Sequence, residues 1–191
     1  MRTCFTLIVM ATSLLAQSTT NRLFPGHNSN WIRFNEGGIA VEMPGTPEAS
    51  TTRREYGDAA AMAHVFRYNK GTEQMLVSYM EFDRNINDVG YLQGVRDYFS
   101  GGQPMLRDKD LIVGGYRGKW MKANFQGKVT EVILVIVGRR VYQAFFQSPD
   151  MMTGLFDSPR FFGSFRIADA GQTCSFSSSA ETGVYAVCRG Q

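Results

Sequence analysis

The chain has 191 residues, 43% of them hydrophobic, and a formal net charge of +3. That length suits a single domain with a real core. So small a positive excess, scattered among acids, excludes a basic nucleic-acid binder or a charge-driven membrane-surface protein. The adjacent arginine pairs, Arg53-Arg54 and Arg139-Arg140, fit a strand end or a turn.

The chain opens MRTCFTLIVMATSLLAQS, a basic start at Arg2 followed by an apolar run from Phe5 to Ala16. The run is too short for a permanent membrane span, and no later segment qualifies. Ala16 and Ser18 sit two apart, as a signal-peptidase site prefers, so residues 1–18 read as a signal peptide cleaved after Ser18, or alternatively after Ala16. Cys4 precedes the apolar run and so does not mark a lipoprotein site. Cleavage removes Arg2 and no acid, taking the net charge from +3 to +2. Residues 19–30, polar and containing Pro25-Gly26, form a flexible leader.

Ordered structure begins at 31–34. After the Gly37-Gly38 turn, Ile39, Val41 and Met43 share one face of a strand that stops on Pro44-Gly45-Thr46-Pro47. Proline followed by glycine predicts a type II turn with Gly45 at positive φ, and Pro47 keeps the exit extended. A phosphate-cradling loop is excluded, because ASTTRR follows where a helix with Lys and Ser/Thr would be needed. Strands are expected over 51–56, 61–68 and 73–82, with Asn69-Lys70-Gly71 as a hairpin turn. Asn87 or Asp88 caps a helix over 88–100, whose apolar positions Tyr91, Leu92, Val95, Tyr98 and Phe99 keep helical spacing. Gly101-Gly102 and Pro104 end it. Further strands are expected over 111–113, 119–125, 129–137 and 141–147, with 129–137 the most apolar and therefore placed at the sheet centre. Ser148-Pro149-Asp150 predicts a helix over 149–162, interrupted at Pro159, where a short turn carries Phe161 and Phe162.

Without Cys4 the chain keeps Cys174 and Cys188. In CSFSSSAETGVYAVC two short strands flank a polar middle, and pairing the cysteines sets Phe176 opposite Ala186. Opposed strand positions lie within disulfide range, so an oxidising compartment favours a bridge. A thiol pair serving a metal or a redox switch is the rival reading, with no further ligands nearby.

Three segments, GGIAVEMPGTPE, GYRGKWMKANFQGK and DSPRFFGSFRI, together resemble a group of small exported bacterial proteins of unknown function with the PsbP-like α/β sandwich also found in DcrB-type envelope proteins. The resemblance covers residues 31–167 and leaves 168–191 as a disulfide-closed hairpin extension. Arg117 stands where the resemblance calls for proline. It implies an α+β domain, an antiparallel β-sheet of six to eight strands with helices packed on it, and a non-enzymatic accessory or binding role.

Chemistry-bearing motifs are sparse. His27 lies in the leader, and His64 lies among strand residues Met62 and Phe66, where packing or hydrogen bonding accounts for it better than catalysis does. No nucleophile elbow, HExxH or Walker loop is present. Ser177-Ser178-Ser179 reads as hairpin loop. No catalytic, cofactor or metal residue is therefore assigned. Ten methionines and fourteen phenylalanines invite a contact surface. Met151-Met152 and Phe161-Phe162 are its candidates, since a narrow helix stripe cannot bury both members of a pair; core packing is the competing use. The leading expectation is an exported protein, periplasmic or extracellular, that binds another envelope or secreted protein. The alternative is a small-molecule or lipid binder using a cavity between sheet and helices, and a hydrolase comes third. The partner and the oligomeric state are not legible.

Overall fold

The computed structural model describes residues 31–190 apart from 57–58, 114–115, 156, 170–171 and 180–182, and beyond Ala168 the description is of backbone alone. Residues 1–30, which hold the expected signal peptide and leader and His27, lie outside the described residues.

Among the described residues, twelve strands form two antiparallel sheets. The larger has seven: β3 (Glu48–Tyr56), β4 (Ala59–Lys70), β5 (Glu73–Phe82), β6 (Arg107–Val113), β7 (Tyr116–Phe125), β8 (Lys128–Val137) and β9 (Arg140–Ser148), in the order β3-β4-β5-β9-β8-β7-β6. The smaller has five: β1 (Ile32–Glu36), β2 (Ile39–Met43), β10 (Arg166–Asp169), β11 (Gln172–Ser179) and β12 (Gly183–Gly190), in the order β1-β2-β10-β11-β12.

The large sheet is covered on both faces. One face carries Met121, Val132, Leu134 and Phe82 against Leu92 and Phe99 of α1 (Asp88–Ser100). The other carries Phe66, Val77, Ile133 and Phe146 against Ile39, Val41 and Met43 of β2, and against Phe161 and Phe162 of α2 (Asp157–Ser164). Two-sided burial is why β8 reads as an unbroken apolar run while β2 alternates. Asn87 caps α1 by accepting from the Gly90 N–H, and Gly101 closes it in the left-handed conformation, as the sequence predicts.

The structure corrects several expectations. One sheet of six to eight strands becomes a seven-stranded sheet with a five-stranded partner, which the short strands 32–36 and 166–169 did not announce. The centre of the large sheet is β9 rather than β8. Gly45 does not take positive φ. Instead, a Cβ there would stand 2.6 Å from the Tyr68 ring, so glycine serves close approach rather than a type II turn. The helix over 149–162 is replaced by a turn over 149–152, a single 3₁₀ turn at Thr153–Leu155, and α2. Ser148 is still paired with Val129 at the end of β9, so no helix can begin there. Pro159 then sits in the first turn of α2, where a missing N–H costs nothing.

The C-terminal strands pair with Cys174 opposite Cys188 and Phe176 opposite Ala186, the expected register, but Ser177, Ser178 and Ser179 are not loop residues: they continue β11, opposite Tyr185, Val184 and Gly183. β10 pairs with β2 on one side and β11 on the other, so the hairpin continues the small sheet and the boundary expected at 167/168 falls inside a strand. Among the described residues, no helix is long and apolar enough to cross a membrane.

Candidate binding groove

Cross-strand register builds one wall of a groove. Arg107 on β6 stands opposite Lys122 on β7, Lys122 opposite Glu131 on β8, and Glu131 opposite Phe146 on β9, so all four share a face. Trp120 lies on the same face, two residues from Lys122. The 149–155 turns and α2 form the facing wall, enclosing about 400 Å³.

Glu131 joins the walls. It is only 8% exposed, and it accepts from the Trp120 indole N–H at 2.7 Å and from the Ser158 hydroxyl at 3.1 Å. Lys122 Nζ adds an ion pair at 3.4 Å. A buried carboxylate is tolerated only when donors and a countercharge meet it, and here they come from β7 and α2. Both oxygens are engaged, so Glu131 clamps the helix rather than facing the groove as a free base. The Arg107 guanidinium lies 4.2 Å from the centre of the Trp120 ring and closes that end with a cation–π contact.

The rim is apolar and open. Met151 and Met152 are 57% and 73% exposed, and Leu155 is exposed beside them. Their turn is held by hydrogen bonds: Asp150 accepts from the Thr153 N–H at 2.8 Å and its hydroxyl at 2.9 Å, and the Ser148 hydroxyl donates to the Asp150 carbonyl at 2.7 Å. The Thr153 N–H is the first cause holding the Asp150 carboxyl below its usual range. Gly154 makes the closure possible, since a Cβ there would meet Phe146 and Ser148 at 2.9 Å.

Of the four contact residues expected from sequence, Met151 and Met152 reach the rim while Phe161 and Phe162 are buried in the core at 0% and 2% exposure. Phe162 nonetheless backs the groove. Sequence reasoning missed Glu131, Trp120, Arg107 and Leu155. The signal for Glu131 was available, a lone charge inside the most apolar strand.

Near the start of α2, Lys70 bonds Asp157, and Glu73 lies beside them, 7% exposed with its Oε1 unpartnered. Burial first, and the Asp157 charge second, push the Glu73 carboxyl up to about 7, while Lys70 pulls the other way. His64 is stacked on Tyr79 with ring centres 4.5 Å apart, and its Nδ1 is 3.1 Å from the Thr51 hydroxyl. Arg53 and Arg139 meet in a second recess near His64, with Arg140 close by, but each has a partner: Glu55, the Asp83 carbonyl and Glu81. Among the described residues no cluster of three or more His, Cys, Asp or Glu could hold a metal ion. No protein-family model and no curated protein matches this sequence.

Proposed function

We propose that this chain is an exported, non-enzymatic binding protein of the bacterial envelope or secretome, with the PsbP-like sandwich its motifs resemble. Its groove receives an apolar side chain of a partner protein. One observation carries the reading: the Met151, Met152 and Leu155 side chains are exposed on a turn held by Asp150, Thr153 and backbone hydrogen bonds, none of which uses those side chains. Thioethers suit such contacts because they are flexible and polarisable. The engagement of both Glu131 oxygens favours binding over hydrolysis. The lipid or small-molecule reading is the second, favoured by the groove's position between sheet and helix and by Arg107 at its end.

A photo-crosslinker at position 152, compared with one at the exposed but distant Tyr98, separates the readings in envelope extract. A protein adduct at 152 alone, abolished by Met151→Asp, supports the leading reading. A lipid adduct moves the assignment to the second, and equal labelling at both positions defeats both. Export and the Cys174–Cys188 bridge belong to the same proposal. Intact mass of the protein from its host should fit a start near Thr19 and rise on reduction by the hydrogens of one opened disulfide.

A further inference from the structure

The edge strand β3 is exposed at every one of its residues, on both faces of the sheet. Its inner edge pairs with β4 without a break, from Glu48 opposite Arg67 to Tyr56 opposite Ala59. No described strand pairs with its outer edge. The opposite edge of the same sheet, β6, has β12 lying against it. Unpaired edges are normally blunted by proline, a bulge or a covering element. Among the described residues β3 has none of the three, its charges at Glu48, Arg53, Arg54 and Glu55 being the one blunting device it carries, and Pro47 lies just before its start. Every residue of the strand is exposed, with Tyr56 at its far end resting against Phe82 of β5 and Tyr91 of α1.

We infer that this edge pairs with the same edge of a second copy of the chain, joining two large sheets into one across a two-fold axis. The geometry allows few registers. Antiparallel strands related by a two-fold perpendicular to the sheet keep every side chain on its own face, and directly opposed residues share a face. One residue must therefore stand opposite its own copy. Centring on Arg53, Arg54 or Glu55 sets like charges against each other. Centring on Thr52 opposes no unlike charges, and centring on Ser50 shortens the overlap. Centring on Thr51 sets Arg54 opposite Glu48 at both ends, with Thr52 opposite Ser50 and Arg53 opposite Ala49 between them.

Arg54 and Glu48 are free for this use. Both are exposed, and neither has an ion-pair partner among the described residues. In the joined sheet Glu48 falls between Arg67 of its own β4 and Arg54 of the second copy. A joint of backbone bonds and two charge pairs buries little area, which places it among weak, reversible dimers. The inference is independent of the groove, which lies on other strands.

Sedimentation equilibrium of the purified protein from micromolar to sub-millimolar concentration tests it. A discrete dimer is expected. Arg54→Glu and Glu48→Arg should each weaken it about tenfold, because two opposed pairs turn from attractive to repulsive. The double variant should restore it. Circular dichroism verifies that these surface variants stay folded. A monomer throughout overturns the inference, as does a dimer indifferent to single charge reversal or one the double variant fails to restore.

Discussion

Two apolar doublets flank the same groove and meet opposite fates. Phe161-Phe162 sits on α2 and is sealed between the two sheets, whereas Met151-Met152 sits on the preceding turn and faces solvent. Composition treats them alike. The difference lies in what covers each segment: the helix lies over the face holding Phe146, Ile133 and Met75, while the methionine turn sits at its margin. The fold depends on the first doublet and tolerates the second, and that tolerance frees the methionines for a partner.

The sharpest way to break the comparison is at the phenylalanines. Phe161→Ala or Phe162→Ala should each cost about 3–5 kcal/mol, from lost burial and the cavity left behind. Chemical denaturation measures it, and a loss under 1 kcal/mol, roughly the scale of a surface change, would place the doublet outside the core.

The next effect tests how α2 is seated. The Glu73 carboxyl is raised from its ordinary value of 4.5 to about 7, so between those pH values the folded chain binds more protons than the unfolded one. Stability therefore falls as pH rises through this window, by about 3 kcal/mol in all for a shift of this size. Asp157 on α2 and Lys70 on β4 are the charged groups facing Glu73. Glu73→Gln should flatten the profile, and denaturation at pH 5 and pH 8 compares the two proteins. An equal slope in the variant would assign the pH response to another group.

The smallest effect on stability belongs to the rim. Met151→Ser with Met152→Ser should change it by no more than about 0.5 kcal/mol, as exposed positions do, while lowering binding of an apolar fluorescent dye. A large destabilisation would mean that the methionines pack after all.

The same division between local and distant causes runs through the rest of the molecule. β5 matches its expected bounds, and α1 is capped by Asn87 and ends before Gly101, because capping, alternation and hairpin chemistry act over a few residues. The register of Cys174 with Cys188 was legible for the same reason. Gly45 was misread because its use depends on Tyr68, which comes from another strand. The helix expected from Pro149 failed because Val129 holds Ser148 in the sheet.

By itself, the sequence determined an α+β chain of antiparallel strands, one capped helix, a most apolar strand over 129–137, and a composition poor in catalytic motifs. These follow from periodicity and backbone preference, which neighbouring residues set. Only the tertiary structure decided that β10 joins β2 to the C-terminal hairpin, that Glu131 clamps α2 to the sheet, and that β3 is an exposed edge. Each depends on which layer covers which face, and that is settled by residues far apart in the chain meeting across the core.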